Sequence, residues 1–409
     1  MVSAPRIFPD SGFDLIDPSL EIEEETLPTY CPEKYYPVVQ GQVLNDRYQI
    51  LAKLGYGVTS TVWLSRDLLD PKYVALKIYV TGQDKNHELD IYERLNSIQE
   101  RHVGKRFIRK LIDNFRIHGP CGSHVCLVHE PLGISAGDFL KRIPGEKMPL
   151  EDMKRCIRQL LIALDFLHSN AQVIHTGPDA NPIEDIQLKN LLLPAPDTDA
   201  LASFEKGQIE SPYPRKVLKD RTIYTSSHGP PSSGLPILCD FGEARFGDKE
   251  NNEDIMPNVY RAPEVILKLN WDYKVDIWNV AMVAWDLVSN RTLFDGTNPD
   301  GIFDDRVHLA EMVALLGPPP LEFRGRSELS SVFWDGNGKW KELAPIPDIS
   351  LEGLSANVVG EDREGFLRWL RTALQWNPED RPTAVELLFD EWLMRGLKSS
   401  KPSSEEKTG

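Results

Sequence analysis

The sequence of 409 residues has few cysteines and no long apolar run. Its five cysteines form no C-x-x-C pair and no cluster with histidine at metal-ligand spacing, which argues against a zinc site. Their odd, scattered number fits a reducing compartment. No window approaches the roughly 20 apolar residues of a membrane span, and residues 1–20 hold proline and acidic residues where a signal peptide would be apolar. We therefore expect a soluble, intracellular protein without a membrane partner.

Basic residues are also in short supply. Lysine and arginine total 46 against 62 acidic residues, which gives a net charge of −16. Such a charge argues against direct binding of nucleic acid and favours basic partners, although it also serves ordinary solubility. The hydrophobic content of 41% can bury a large core, in one two-lobed domain or in two small domains.

Strand patterns dominate the first third of the chain, and helical patterns dominate the rest. The helix over 276–288 is apolar nearly all round, which predicts a buried central helix. The predicted strands cover 48–54, 61–66, 73–80, 107–111 and 125–132, and the predicted helices cover 88–95, 152–169, 276–288 and 366–376.

Five short motifs follow one another along the chain. Each is weak alone, because a glycine turn or a polar loop explains it as well. Five such motifs in this order are not expected by chance in one chain. The motifs are Gly55-Tyr-Gly57, Ala75-Leu-Lys77, Asp185 and Asn190 separated by four residues, Asp240-Phe-Gly242, and Ala262-Pro-Glu264.

Lys77 lies in the apolar middle of a predicted strand. A buried lysine is costly unless it is paired, so a purely structural role is a poor explanation. Glu88, at the head of the next helix, is the predicted partner, and Glu93 is the less favoured alternative. Glycines at 55 and 57 would let a hairpin backbone approach phosphate oxygens closely.

Together these residues resemble the eukaryotic protein-kinase fold over 47–395. More narrowly, the chain resembles the SR-protein kinases, in a compact form such as fungi carry. The narrower resemblance is carried by Tyr30-Cys31-Pro32, Tyr36-Pro37-Val38, Asn45-Asp46-Arg47-Tyr48, Ser60-Thr61-Val62-Trp63, His175-Thr176 in place of His-Arg, residues 259–267 and residues 309–319.

The resemblance implies an α+β, two-lobed fold with a small β-rich N-lobe and a larger α-helical C-lobe. We expect the segment 194–236 to loop over the surface, because it is polar and rich in proline and serine. The predicted organisation is an extended lead-in (1–46), the N-lobe and hinge (47–132), the C-lobe (133–395) with insertions near 177–184, 194–236 and 300–360, and a disordered tail (396–409).

The function that the resemblance implies is transfer of the ATP γ-phosphate to serines of Arg/Ser-rich splicing factors, with Mg²⁺ as the metal. In that family scheme Asp185 orients the serine hydroxyl and accepts its proton, while Lys77, tethered by Glu88, holds the α- and β-phosphates. The other implied ATP-binding positions are Leu54, Gly55, Gly57, Val62, Ala75, Glu130 and Leu132. A monomer found in cytoplasm and nucleus is implied as well.

Asp240 and Asn190 are the implied ligands of magnesium. Three further residues have implied structural roles. Asp276 would hydrogen-bond the backbone of the catalytic loop, and Glu264 and Arg381 would form a buried ion pair.

Two departures concern the catalytic loop. Gln187 stands where the family carries a lysine that contacts the γ-phosphate. The eight residues 177–184 separate His175-Thr176 from Asp185, which are adjacent in the family. The insertion could bulge outward or displace Asp185; Asp179 could take the place of the catalytic aspartate, or the insertion could be an error in the gene model.

A third departure concerns regulation. The kinase arginine that grips an activation-loop phosphate is Thr176 here, and residues 244–259 contain no Ser, Thr or Tyr. We therefore expect activity without activation-loop phosphorylation. The acidic residues of this loop, which could meet arginines of a substrate or simply face solvent, are Asp248, Glu250, Glu253 and Asp254.

Two functions from different classes follow. The first is an active serine/threonine kinase for Arg-rich substrates. The alternative is a nucleotide-binding pseudokinase that acts as a scaffold because the insertion at 177–184 impairs catalysis.

Overall fold

The computed structural model describes residues 4–82, 86–176, 188–227 and 229–397. Its N-terminal part is built on an antiparallel sheet of six strands in the order β1-β2-β3-β4-β6-β5. The strands are β1 (Val43–Leu44), β2 (Tyr48–Tyr56), β3 (Ser60–Asp67), β4 (Lys72–Tyr79), β5 (Leu111–Gly119) and β6 (Gly122–His129).

Helix α1 (His87–Ser97) contributes its apolar side to the main core. Asn86 caps it by accepting a hydrogen bond from the Leu89 amide at 3.0 Å. Ile91, Tyr92 and Leu95 are buried, so the helix is held by packing and by its cap.

The helices after β6 form the larger lobe, except for α4, which contacts β2 and β4 of the sheet. They surround α6, whose residues from Val275 to Val288 are all buried, as its apolar composition predicts. The helices are α2 (Ala136–Leu140), α3 (Leu150–Asp165), α4 (Thr198–Glu210), α5 (Pro263–Ile266), α6 (Lys274–Val288), α7 (Asp305–Leu316), α8 (Leu321–Arg324), α9 (Ser330–Phe333), α10 (Leu351–Leu354), α11 (Arg363–Ala373), α12 (Ala384–Leu388) and α13 (Glu391–Met394).

Six short strands complete the structure. β7 (Val173–Ile174) pairs with β12 (Arg245–Phe246), and β8 (Leu191–Leu192) pairs with β11 (Ile237–Leu238), both antiparallel. These pairs hold together the chain segments on either side of the candidate site. The remaining pair is β9 (Arg215–Val217) with β10 (Thr222–Tyr224).

The predicted strand at 107–111 is wrong. The strand begins at Leu111 and runs to Gly119. It is the edge of the sheet and has no fully buried residue, so it lacks the apolar signal that guided the prediction. Phe107 and Arg109 instead exchange backbone hydrogen bonds with Leu238 at 2.9 and 2.8 Å.

The expectation that 194–236 is a surface loop is also wrong. This segment contains α4 and the β9–β10 hairpin. Leu201 packs with Leu51 and Leu64, and Tyr224 packs with residues of the sheet such as Trp63. The segment therefore extends the N-lobe core, a tertiary contact that local polarity does not show.

Two predicted features lie outside the described residues, namely the insertion 177–184 and residues 398–409 of the tail. Within the part of the chain that the structure describes, no helix is long and apolar enough to cross a bilayer.

A buried ion pair ties α5 to the C-terminal helices. The two terminal guanidinium nitrogens of Arg381 donate to the two carboxylate oxygens of Glu264 at 2.6 and 2.7 Å. Both side chains are at most 1% exposed. Arg381 also donates to the backbone oxygens of Gln375 and Lys274 at 3.0 Å, so four of its five N–H donors have partners.

Replacement of Arg381 by methionine should lower the free energy of unfolding by about 3–5 kcal/mol, because Glu264 would stay buried without a partner. Equilibrium unfolding in urea measures the difference. The matched control is Arg326→Met, since Arg326 pairs with Glu379 on the exposed surface at 2.8 Å, and that variant should lose about 1 kcal/mol or less. Equal losses in the two variants would contradict this account.

Candidate active site

A cleft of about 860 Å³ opens between the sheet and the larger lobe. Its lining includes the Gly57 turn, Lys77, Asn190 and Asp240. A second cavity of about 320 Å³, lined by Leu54, Gly55, Val62 and Leu132 among others, shares several lining residues with it. The two cavities together form one binding site of the size that a nucleotide requires.

Lys77 joins the two sides of this cleft. Its ammonium group lies 2.7 Å from Glu88 on α1 and 2.9 Å from Asp240, which follows β11. Burial opposes the charged form of Lys77, but the carboxylates of Asp240 and Glu88 outweigh it and raise the pKa well above its ordinary value. Glu93, the other glutamate considered as a partner, is exposed.

Asp240 and Asn190 present oxygen donors to the cleft. The Lys77 charge is the main reason that the pKa of Asp240 is lowered, so this carboxylate is ionised. Asp240 has a positive φ of 63°, a strained conformation of the kind that clusters at functional sites. The Asn190 side-chain nitrogen is buried and has no hydrogen-bond partner among the described residues.

The predicted ATP-binding residues fall into two groups. The lining of the two cavities includes Leu54, Gly55, Gly57, Val62, Lys77 and Leu132. Ala75 is buried within the sheet opposite His129, and the Glu130 side chain is exposed 3.9 Å from Lys110. Glu130 could therefore reach a ligand through its backbone groups rather than through its side chain, whereas Ala75 has a neighbouring strand on each side.

Asp276, at the start of α6, anchors the chain that leads into the catalytic loop. Its carboxylate accepts hydrogen bonds from the backbone amides of His175 and Thr176 at 2.8 and 2.9 Å. The His168 ring lies 2.8 Å from the same carboxylate. Burial raises the pKa of Asp276, but these hydrogen bonds and the positive charges nearby lower it below 3.8 overall.

Asp185 and Gln187 lie outside the described residues. The described chain ends at Thr176 on one side and resumes at Leu188 on the other, two residues before Asn190. The role of Asp185 as the catalytic base therefore stays a prediction.

Sequence reasoning missed two residues of the cleft. The Tyr79 hydroxyl donates to the Glu88 carboxylate that also pairs with Lys77. Tyr79 is two residues after Lys77 on one strand and so shares its face, a signal that could have identified it. Arg109 lines both cavities and adds a further cation to the cleft; no local pattern pointed to it.

Comparisons with known proteins agree with this geometry. The profile of the family described as "Protein kinase domain" matches residues 216–393. A serine/threonine protein kinase of Aspergillus fumigatus is 41% identical over 397 residues, covering 96% of each chain. The serine/threonine-protein kinase SRPK of Physarum polycephalum is 31% identical, covering 93% of this chain and 92% of its own.

A solved structure gives the same fold. The crystal structure of a kinase domain superposes with a TM-score of 0.64, covering 88% of this chain and 98% of the other, at 23% identity. The two-lobed protein-kinase fold predicted from the sequence is confirmed. The two relatives, at 41% and 31% identity over nearly their whole length, show that the protein is a serine/threonine protein kinase. Within that class it belongs to the SR-protein kinase family.

Replacement of Asp276 by asparagine should lower the free energy of unfolding by about 1–3 kcal/mol at neutral pH, because an amide offers one buried oxygen to two backbone donors. The pKa of Asp276 is depressed in the folded state, so its contribution is complete above pH 3.8, its ordinary pKa, and is lost as pH falls through the lower folded value. Urea unfolding at a series of pH values should show a constant difference between the two proteins from pH 7 to about pH 4, and a narrowing difference only below the ordinary pKa of 3.8.

The matched control is Asp335→Asn. Asp335 also accepts two backbone amide hydrogen bonds, both at 2.9 Å, but in an exposed turn where water can replace them. A loss in this control as large as that in Asp276→Asn would contradict the assignment of Asp276 as a buried anchor.

Proposed function

We propose that this kinase is catalytically active and transfers the γ-phosphate of ATP to serines in Arg/Ser-rich proteins. The observation that carries the proposal is the contact of Lys77 with both Glu88 and Asp240. A protein kinase requires its lysine–glutamate pair and its metal-binding aspartate to be in place together. A pure scaffold has no physical need for this assembled set, so the geometry favours the enzyme.

Each functional residue of the chain has a separate role in nucleotide binding or phosphate transfer. Lys77 binds the α- and β-phosphates, and the turn at Gly55 and Gly57 covers them. Backbone groups of Glu130 and Leu132 meet the base. Asp185 orients the serine hydroxyl and accepts its proton. Catalysis then rests on positioning and on neutralisation of charge rather than on covalent chemistry.

Asp240 and Asn190 would hold magnesium. Mg²⁺ in phosphoryl-transfer sites is bound through one or two carboxylates together with substrate phosphates, and an ionised aspartate beside an amide oxygen fits that need. When bound, the metal supplies positive charge that neutralises the transferred group.

The net charge of −16 supports a basic substrate. The activation loop is a weak candidate for the surface that binds it. Asp248 lies 3.1 Å from Arg94, Glu253 lies 3.5 Å from Arg245, and Asp254 pairs with Lys268. Asp248, Glu253 and Asp254 therefore form ion pairs with basic residues of the kinase itself. Among the four acidic residues of this loop, Glu250 has no such ion pair within the described chain.

Backbone contacts that order the activation loop support activity without its phosphorylation. Ion pairs at an exposed surface contribute little individually, so the backbone must provide most of the order. Phe246 pairs with Val173, and Gly247 donates to the Gln172 carbonyl at 2.8 Å. The Thr176 hydroxyl donates to the Glu243 carbonyl at 2.7 Å, so the residue that replaces the phosphate-gripping arginine fastens the loop directly.

We further propose that the kinase acts as a monomer, without direct contact to nucleic acid, in both cytoplasm and nucleus. The family membership and the acidic net charge support these statements.

The enzyme should phosphorylate an Arg-Ser repeat peptide, and Lys77→Met should abolish the transfer while circular dichroism still shows a folded protein; its thermal midpoint should fall, because the buried Glu88 loses its cation. The rate at limiting peptide concentration should fall steeply with added salt, because charge attraction between an acidic enzyme and a basic peptide is screened. A radiolabelled-phosphate assay with a matched acidic peptide measures both effects. A preference for the acidic peptide, or full activity in Lys77→Met, would overturn the proposal.

Exhaustive treatment with a broad-specificity protein phosphatase should leave the turnover rate unchanged, since residues 244–259 hold no hydroxyl side chain. Mass spectrometry checks that dephosphorylation is complete. Loss of activity that returns on rephosphorylation of the protein would show that a phosphate elsewhere is required.

A further inference from the structure

Tyr35 belongs to the lead-in rather than to any kinase motif, yet it touches the glycine-rich turn. Its hydroxyl lies 3.0 Å from the carbonyl oxygen of Gly57 and 3.0 Å from that of Val58. The residue is only 6% exposed. One hydroxyl proton is thus shared between two carbonyls at the tip of the β2–β3 hairpin.

Peptide geometry gives this contact a consequence inside the cleft. In a planar trans peptide the carbonyl of one residue points opposite to the amide N–H of the next. Holding the carbonyls of Gly57 and Val58 toward Tyr35 therefore turns the N–H groups of Val58 and Thr59 away from it. Val58 and Thr59 line the cleft, and their N–H groups have no hydrogen-bond partner among the described residues.

The Tyr35 hydroxyl is suited to act as a constant donor. Burial, followed by the negative charge of Glu24, raises the pKa of Tyr35 to about 12. The group therefore keeps its proton at neutral pH and does not repel the carbonyl oxygens.

The segment that carries Tyr35 is itself fixed. The Thr81 amide donates to the Lys34 carbonyl at 2.8 Å, next to Tyr35 in the chain. The Tyr30 ring packs against the Tyr35 ring with centroids 5.2 Å apart. Farther back, Glu24 forms a buried pair with Lys53 on β2, the strand that leads into the turn. The hydroxyl is thus held in place from the side of the sheet.

We propose that Tyr35 is a positioning residue that presents the backbone N–H groups of Val58 and Thr59 to the phosphates of the bound nucleotide. Successive N–H groups in a turn form an anion-binding concavity. Their orientation before binding lowers the cost of ordering the loop. This inference rests on the nucleotide site proposed above and adds a residue to it.

Replacement of Tyr35 by phenylalanine keeps the ring and removes the hydroxyl. The affinity for MgATP should fall about three- to tenfold, which is the effect of one neutral hydrogen bond. The affinity for adenosine, which has no phosphate, should stay unchanged. Isothermal titration calorimetry with each ligand measures both, and the thermal midpoint reports on the fold.

The matched control is Tyr36→Phe. The Tyr36 hydroxyl accepts a hydrogen bond from Gln42 at 2.8 Å and lies on the same segment, so this variant should bind both ligands like the wild type. If Tyr35→Phe weakened the binding of MgATP and adenosine equally, or left the affinity for MgATP unchanged, the proposed role of Tyr35 would be overturned. The nucleotide site itself would stand. A wild-type protein that bound neither ligand would overturn the nucleotide site itself, and this role with it.

Discussion

The structure depends on one lysine that sits in a strand between two carboxylates. A cation in the apolar sheet would be costly if it were alone, so Lys77 requires Glu88 from α1 and Asp240 from the other side of the cleft. That requirement joins three elements that are distant in sequence. The same arrangement leaves a protonated lysine and an ionised aspartate facing a cleft, which are the charges that phosphate and magnesium need.

The larger lobe supplies the rigid support for that arrangement. Asp276 projects from the fully buried α6 and holds the backbone at His175 and Thr176. Thr176 in turn fastens the activation loop at Glu243. Hydrogen bonds to backbone groups therefore fix the loops relative to the packed helix. The bond from Thr176 to the Glu243 carbonyl joins two uncharged groups, so it fastens the loop without a phosphate.

The sequence predicted the elements whose apolar pattern is strong. The strand that carries Lys77 was placed within a residue of its observed bounds, and α6 within two. The predictions failed where tertiary contacts determine the secondary structure. Helix α4 has a weak apolar side that becomes buried only against the sheet, and β5 is an edge strand with no fully buried residue. The motif residues of the cleft were found because five short motifs occur together, and Lys77 also because a lysine in an apolar strand needs a partner. Arg109 could not be found without the pairing of its chain with Leu238.

The lead-in was predicted as an extended segment and 194–236 as a surface loop, and the structure joins the two. Three consecutive glutamates in the turn Glu23–Thr26 bind both the sheet and the segment 194–236. Glu23 accepts from the amide and hydroxyl of Ser226, Glu23 and Glu24 both pair with Lys53, and Glu25 lies 2.8 Å from Lys216. Lys53 is 2% exposed, so loss of both glutamates would leave a buried charge. Neither the lead-in nor the segment 194–236 can detach from the other without breaking these contacts. The chain outside the motifs thus forms a second layer on the sheet, and that layer reaches the glycine-rich turn through Tyr35.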